Sequence, residues 1–478
     1  MSAELAYASA TDLLRRYRAK ELSPVEVAQA VLARIAALNP RLNAFCLVDE
    51  AGALASARES EARWMKGAPL GLLDGVPATI KDIVLTRGWT TLRGSRTVDP
   101  AGPWTEDAPA TARMRENGAV LLGKTCTPEF GWKGVTDNPL TGITRNPWNT
   151  ALTPGGSSGG ASAQVAAGLG PLALGTDGGG SIRIPCAFTG ISGIKPSFGR
   201  VPAWPLSPFG SVAHLGPMAR TVADCALMLN VLSQPDVRDW TALPYAGIDW
   251  TQGLDAGVKG LRIAYSPRLG YVKQVHPDIE ARVAEAAKAM AGLGAKVEEV
   301  DPGFADCRDI FRVHWTSGAY NLLRKMPPEK FALLDPGLQQ ACASGSNCTL
   351  AQYLDAVNAR GALGELMKRF HQKYDLLLTP ATAVPAFGVG MIAPAGAMGR
   401  SDGAESDRRE EDWTWWTPFS FPFNLTQQPA MSVPCGFTRD GLPVGLQLVG
   451  PMHREDLVLR AANAYQQSTG HHLIRPAL

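Results

Sequence analysis

The sequence of 478 residues lacks a long uninterrupted apolar stretch. A membrane-spanning helix needs about 18 or more consecutive apolar residues, and no such run is present. Residues 1–19 carry charges at Glu4, Asp12 and Arg15, so they lack the apolar segment of a secretory signal. We therefore expect a cytoplasmic protein that does not act at a membrane.

Clustered cations and metal-ligand motifs are equally scarce. The formal charge is only +2, and lysine and arginine form no run beyond short pieces such as Arg15-Arg16. Because phosphate binding needs clustered positive charge, we expect no nucleic-acid partner. The eight cysteines show no Cys-x-x-Cys spacing and the seven histidines show no His-x-x-x-His spacing. These patterns indicate free thiols and no metal site.

Strand-like and helix-like segments alternate along most of the chain. The pattern predicts a strand at residues 75–80 that delivers Lys81 to its end, and a helix at 108–116 followed by a strand at 119–122. A β-α-β unit is predicted within 261–300, and a hairpin within 431–449 turns at Arg439-Asp440-Gly441. This alternation predicts an α/β fold.

We expect one domain over residues 1–478. Its parts are predicted as N-terminal helices (1–65), a catalytic core (66–230), an irregular elaboration that covers the core (301–409), and a C-terminal part of the sheet (410–478). Within the elaboration, residues 385–406 are rich in glycine, alanine and proline.

Two clusters of glycine and serine lie close together, at residues 154–160 and 175–183. A flexible linker is a poor interpretation, because linkers do not enclose the apolar segments found between the clusters. A phosphate-binding loop is not favoured either, because neither cluster has the Gly-x-x-x-x-Gly-Lys-Ser/Thr spacing. Residues 156–160 satisfy Gly-x-Ser-x-Gly, but a turn-rich loop precedes them where a nucleophile elbow requires a strand.

The clusters and Lys81 together indicate acyl-transfer chemistry. A serine hydroxyl becomes a nucleophile when a base removes its proton, and a lysine is a base only where burial or neighbouring cations keep it neutral. Considered alone, Lys81 is better explained by a salt bridge to Asp82 or by a solvated strand end. Glycines at 178–180 allow several backbone N–H groups to point at one position, which is the requirement for an oxyanion hole.

The chain resembles the amidase signature family. The resemblance rests on Gly155-Gly156-Ser157-Ser158-Gly159-Gly160, on Gly175 through Pro185, and on the spacing of the two serines. It extends to 75–82, 123–125, 193–196, 216–224 and 441–447, which leaves out mainly the region around 301–409.

This resemblance implies a large mixed central β-sheet covered by helices on both faces, and a Ser-cisSer-Lys triad. Ser181 would be the nucleophile, Ser157 the proton relay and Lys81 the base, and the Gly156-Ser157 peptide would be cis. The N–H groups of Gly178, Gly179, Gly180 and Ser181 would hold the oxyanion. The residues implied to support the loop are Ser158, Thr176, Asp177 and Arg183. No cofactor is implied, the substrate is a small amide, and we expect a monomer or homodimer.

The substrate is less well defined by the sequence. Members that use glutamine carry an acidic residue seven positions before the Asn of an Asn-Leu step, and the corresponding residue here is Thr417. Tryptophans concentrate nearby, at Trp413, Trp415 and Trp416, and suit an apolar ligand. We expect Gly131, Trp132, Trp416 and Thr417 to contact a bulky aryl or alkyl amide, with esters or carbamates as further substrates. The alternative is a glutamine-hydrolysing subunit of a tRNA-dependent amidotransferase.

Overall fold

The computed structural model describes residues 2–245, 247–394 and 412–478. The strands are β1 (Phe45–Val48), β2 (Pro77–Lys81), β3 (Val120–Thr125), β4 (Asp137–Asn138), β5 (Gly142–Ile143), β6 (Leu172–Asp177), β7 (Ser192–Lys195), β8 (His214–Ala219), β9 (Arg262–Tyr265), β10 (Lys296–Glu299), β11 (Leu376–Pro380), β12 (Ala430–Phe437) and β13 (Pro443–Val449).

The helices are α1 (Ser2–Ala6), α2 (Ala10–Arg18), α3 (Pro24–Leu42), α4 (Glu50–Met65), α5 (Pro109–Glu116), α6 (Gly159–Ala166), α7 (Arg183–Thr189), α8 (Val222–Leu232), α9 (Pro277–Gly292), α10 (Arg308–Leu323), α11 (Pro328–Phe331), α12 (Pro336–Ser346), α13 (Leu350–Phe370), α14 (Pro422–Leu425) and α15 (Glu455–Thr469). None of these described helices combines the length and the apolar character that a membrane span requires.

Eleven of the described strands form one mixed sheet, and β4 and β5 pair separately. The order is β1-β3-β2-β6-β8-β7-β12-β13-β11-β9-β10. Parallel pairs lie near both edges, and a run of antiparallel pairs from β6 to β11 joins them. The predicted α/β fold with a large mixed sheet is confirmed.

The parallel pairing of β2 with β6 positions the site. Ile80 lies opposite Leu174 in this ladder, so the carboxyl ends of both strands meet at one edge of the sheet. Lys81 ends β2, and Thr176 and Asp177 end β6. Both strands are almost entirely buried, because helices cover this part of the sheet. Lys81 is thereby delivered to the protein interior and not to solvent.

The predicted β-α-β unit and hairpin are both present. Strands β9 and β10 are parallel, with α9 between them, and β12 and β13 form an antiparallel pair. The described part of the segment 301–409 differs from the expectation, because it is not irregular. It holds α10 to α13, and β11 lies inside the sheet between β13 and β9. Residues 395–411, which include much of the predicted loop 385–406, lie outside the described residues.

Candidate active site

Lys81 lies at the centre of a set of three hydroxyl groups. Its side chain is fully buried, and Nζ lies 2.6 Å from Oγ of Ser157, 2.9 Å from Oγ of Ser158 and 2.9 Å from Oγ1 of Thr176. The hydroxyl of Ser158 donates a hydrogen bond to the carbonyl oxygen of Thr176, so its oxygen accepts a hydrogen bond from Lys81. An uncharged amine has two N–H donors and one lone pair. With Ser158 and Thr176 as acceptors, the lone pair is directed at the hydroxyl of Ser157.

The surroundings of Lys81 favour the uncharged amine. Burial lowers the pKa of Lys81 well below its ordinary value, and the charge of Asp177 opposes this effect only in part. Asp82 is not its partner, because the Asp82 carboxylate pairs with Lys124 at 3.1 Å. The salt bridge that would explain an isolated lysine at this position is therefore not formed.

The backbone holds the two serine clusters against each other. The N–H of Ser158 donates to the carbonyl oxygen of Ser181 at 3.2 Å, and the Gly156-Ser157 peptide is cis, as the sequence resemblance implies. A Cβ atom on Gly156 would lie 2.6 Å from the carbonyl oxygen of Val135, so only glycine allows this approach. Ser181 is 5% exposed, and its hydroxyl has no hydrogen-bond partner in the described parts of the chain. It is free to approach a ligand.

Asp177 and Arg183 form a fully buried ion pair beneath the second cluster. Nε and Nη2 of Arg183 donate to the two carboxylate oxygens of Asp177 at 3.0 and 2.9 Å. The remaining donors of the guanidinium reach the Ser420 carbonyl, Oδ1 of Asn424 and Oε1 of Gln447, at 2.7–2.9 Å. Every donor of this buried cation therefore has an acceptor, which is the condition for burying it.

The ion pair keeps Asp177 charged. Desolvation by itself would raise the pKa of Asp177, but the charge and hydrogen bonds of Arg183, helped by Lys195 and Asn424, hold that pKa below its ordinary value. A charged carboxylate can accept several hydrogen bonds at once. It accepts from the backbone N–H of Gly180 at 2.8 Å and from that of Ile182 at 3.2 Å, on either side of Ser181.

The hydrogen bond to Asp177 corrects the prediction for the glycine loop. The N–H of Gly180 already donates to Oδ1 of Asp177, so in this structure it does not point at a ligand. Within the described residues, the N–H groups of Gly178, Gly179 and Ser181 have no acceptor. These three groups remain available for an oxyanion.

Three aromatic side chains pack over the glycine loop, and we call them the aromatic wall: Phe311, Trp315 and Trp413. A Cβ atom on Gly178 would lie 2.8 Å from the ring of Trp315, and one on Gly179 would lie 2.6 Å from Trp413 and 2.7 Å from Phe311. Nε1 of Trp315 donates to the Trp132 carbonyl at 3.0 Å. The sequence expectation named Trp132, whose ring packs against Gly337 of α12, and it missed Phe311 and Trp315, which lie on α10.

The other tentative substrate residues have different positions. A Cβ atom on Gly131 would lie 3.4 Å from Oγ of Ser157, so this residue lies beside the candidate triad. Trp416 stacks on Phe188 at 5.6 Å and is only 1% exposed. The hydroxyl of Thr417 donates to the Trp413 carbonyl, and the residue is fully buried. Trp416 and Thr417 are thus occupied by protein contacts.

Sequence reasoning also missed the residues that complete the support of the loop. Ser420 donates to the Gly179 carbonyl at 2.6 Å, and Asn424 and Gln447 accept from Arg183. A buried arginine signals that such acceptors must exist, but it does not say where they lie in the sequence. Among the described residues, no group of three or more His, Cys, Asp or Glu side chains is placed to hold a metal ion.

Comparisons with known proteins agree on one family. The sequence model of the Amidase family matches residues 26–459. An acylamidase from Rhodococcus erythropolis is 38% identical over 97% of this chain and 95% of its own length. A glutamyl-tRNA(Gln) amidotransferase subunit from Roseiflexus castenholzii is 37% identical over 99% of this chain and 97% of its own. The crystal structure of a bacterial aryl acylamidase of the amidase signature enzymes superposes with a TM-score of 0.88 at 32% identity, covering 98% of each chain.

Proposed function

Because this chain belongs to the amidase signature family, we propose that it hydrolyses a carboxylic amide through an acyl-serine intermediate, with Ser181 as nucleophile, Ser157 as proton relay and Lys81 as base. The observation that supports this proposal most directly is the environment of Lys81. Its amine is fully buried, has three hydroxyl groups and no carboxylate as hydrogen-bond partners among the described residues, and has a lowered pKa. An amine with these properties is suited to act as a general base.

Acylation begins when the hydroxyl oxygen of Ser181 attacks the amide carbonyl. The proton of Ser181 passes to Oγ of Ser157 as the proton of Ser157 passes to Nζ of Lys81, which becomes an ammonium. Negative charge then develops on the former carbonyl oxygen. The N–H groups of Gly178, Gly179 and Ser181 supply donors for it, and each such donor is worth about a hundredfold to a thousandfold in rate.

Collapse of the tetrahedral intermediate reverses the proton path. The C–N bond breaks, the amine leaves with a proton from Ser157, and Lys81 returns its extra proton to Ser157. Water then attacks the acyl-serine ester, gives up a proton through Ser157 to Lys81, and the carboxylic acid leaves as Ser181 is protonated again. The chain's own residues supply every proton-transfer group in this scheme, so no cofactor is proposed.

We propose that the substrate is an uncharged aryl or alkyl amide. The aromatic wall packs directly over the glycine loop, so the surroundings of the reacting centre on this side are apolar. The acylamidase and aryl acylamidase relatives agree with this choice. Esters and carbamates are proposed as further substrates, because the same acyl-enzyme chemistry applies to them.

A second candidate function is supported by the amidotransferase relatives, which match the chain over almost its whole length. In that case the chain would hydrolyse glutamine and would act with partner proteins. Thr417 argues against it, because glutamine-using members are expected to have an acid there. Its neutral hydroxyl is buried and bonded to the Trp413 carbonyl. We also propose that the chain acts in the cytoplasm as a single domain, as a monomer or homodimer.

The triad is tested by replacing Ser181 with alanine. We expect hydrolysis of p-nitroacetanilide to fall by at least about a thousandfold. A fluorophosphonate should label the wild-type protein at the peptide that contains Ser181 and should not label the variant. Ser162→Ala is the matched control, because Ser162 is a buried serine whose hydroxyl donates to the Gly159 carbonyl and to no other group in the described part of the chain. Comparable turnover in Ser181→Ala would exclude Ser181 as nucleophile.

The substrate class is tested by comparing p-nitroanilides, p-nitrophenyl carbamates and free glutamine with the isolated chain. We expect the anilides to be hydrolysed and glutamine to be a poor substrate. A clear preference for glutamine, or activity only with co-purified partner proteins, would favour the amidotransferase function.

A further inference from the structure

His214 is a buried residue that the proposed mechanism does not use. It begins β8 and lies opposite Asp177 in the antiparallel ladder with β6. The residue is 4% exposed. Its Nδ1 atom lies 2.8 Å from the Val212 carbonyl oxygen and 3.2 Å from the Asp177 carbonyl oxygen.

These contacts determine where the imidazole carries its proton. Both partners of Nδ1 are carbonyl oxygens, which only accept hydrogen bonds, so Nδ1 must be protonated. Burial lowers the pKa of His214 well below its ordinary value, with a further contribution from Lys195, so the ring is neutral. The other nitrogen, Nε2, is therefore unprotonated, and it has no partner in the described part of the chain.

Asn424 donates to the same two carbonyl oxygens. Its Nδ2 atom lies 2.8 Å from Oδ1 of Asp177, 3.0 Å from the Asp177 carbonyl oxygen and 3.1 Å from that of Val212. The orientation of this amide is fixed, because its Oδ1 accepts from Arg183 at 2.7 Å. His214 and Asn424 thus form a pair of donors that ties the Asp177 carbonyl to Val212.

The direction of this carbonyl sets the direction of a proposed oxyanion donor. The Asp177 carbonyl and the Gly178 N–H belong to one peptide unit, which is trans. In a planar trans peptide the C=O and N–H bonds point in opposite directions. Holding the carbonyl toward β8 and α14 therefore aims the Gly178 N–H away from them, toward the side where it has no acceptor among the described residues.

The neighbouring peptides of the loop are fixed by other groups. Ser420 donates to the Gly179 carbonyl at 2.6 Å, and the N–H of Ile184 donates to the Gly180 carbonyl at 2.7 Å. The Asp177-Gly178 peptide is the one held by the imidazole, together with the amide of Asn424. Because glycine lies on the C-terminal side of this peptide, the peptide plane rotates with little resistance, and a donor from outside the glycine loop is needed to fix its orientation.

We propose that His214 is a positioning residue, which acts through the Asp177 carbonyl to aim the Gly178 N–H at the oxyanion of the transition state. This inference rests on the proposed function. In this role His214 affects the rate of the chemical step and does not contact the substrate.

Two substitutions of similar size separate this role from packing. The side-chain nitrogen of asparagine lies two bonds from Cβ, as Nδ1 of histidine does, so His214→Asn keeps a donor at that position. The nitrogen of glutamine lies one bond further out, so His214→Gln loses it. We expect kcat for p-nitroacetanilide to fall by about tenfold to a hundredfold in His214→Gln at unchanged KM, and to stay near the wild-type value in His214→Asn.

Two measurements do not depend on activity. Nitrogen-15 spectra of histidine-labelled wild-type protein should show His214 protonated at Nδ1 and unprotonated at Nε2. Hydrogen exchange of the amides at 177–181 should accelerate in His214→Gln and not in His214→Asn. A proton on Nε2 would overturn the inference, as would equal kcat and equal exchange in the two variants. A wild-type protein that hydrolyses no amide would instead overturn the proposed function, and the exchange result would still decide the role of His214.

Discussion

Replacing Lys81 by methionine should change how the free energy of unfolding depends on pH. In the unfolded chain the pKa of the lysine is about 10.5, whereas burial in the folded protein lowers it well below that value. Between the two values the unfolded state binds more protons, so the stability of the wild type rises with pH. Below the lowered pKa both states are protonated, and above 10.5 neither is, so the contribution is constant outside the window.

The expected magnitude follows from one proton. Within the window, the free energy of unfolding of the wild type should rise relative to Lys81→Met by about 1.4 kcal/mol for each pH unit. The three hydrogen bonds that methionine removes shift the two curves by a constant and do not change their relative slope. The slope therefore reports the charge state of the amine and not its packing.

Urea denaturation at a series of pH values, followed by tryptophan fluorescence and circular dichroism, measures this slope. Lys66→Met is the control, because Lys66 is exposed and its variant should give a curve parallel to that of the wild type. Parallel curves for the wild type and Lys81→Met would refute the reasoning. They would mean that the lysine keeps its ordinary pKa in the folded state, where it could not act as the base.

Two further substitutions test the support of the site. Alanine at Gly179 would place a Cβ atom 2.6 Å from the ring of Trp413, so amidase activity should fall by about a hundredfold. Gly361→Ala is the control, because a Cβ atom on Gly361 would have no neighbouring atom within 4 Å, and its activity should be unchanged. Equal anilide turnover in both variants would contradict the importance of the loop. Replacing Arg183 by methionine leaves the carboxylate of Asp177 buried without its cation, which should cost about 3–5 kcal/mol of stability. An unchanged urea midpoint would contradict that assignment.

The features that depend on sequence neighbours were predictable. Lys81 follows an apolar strand, and the turn at 439–441 lies between two strands, so local pattern was sufficient for both. The described part of 301–409 was not predictable in this way. Helix α10 is rich in aromatic and β-branched residues, which are weak helix formers, and β11 is a short apolar run that pattern alone does not assign. Packing against the core decides both structures.

The glycine loop shows a second limit of sequence reasoning. Glycine allows so many backbone conformations that a run of glycines indicates a site for N–H donors without saying which donors are free. The carboxylate of Asp177 accepts a hydrogen bond from the N–H of Gly180, and this contact depends on the negative charge of Asp177 that Arg183 maintains. Only the three-dimensional arrangement distinguishes Gly180 from Gly178 and Gly179.

The guanidinium of Arg183 explains why the candidate site needs both halves of the chain. It has five N–H donors, and a buried donor without an acceptor is costly. Asp177 accepts two of them, and the other three reach Ser420, Asn424 and Gln447, far along the sequence. Residues 66–230 contain all three proposed triad residues but none of these three acceptors. The hairpin of β12 and β13, together with α14, therefore belongs to the machinery that holds the nucleophile loop.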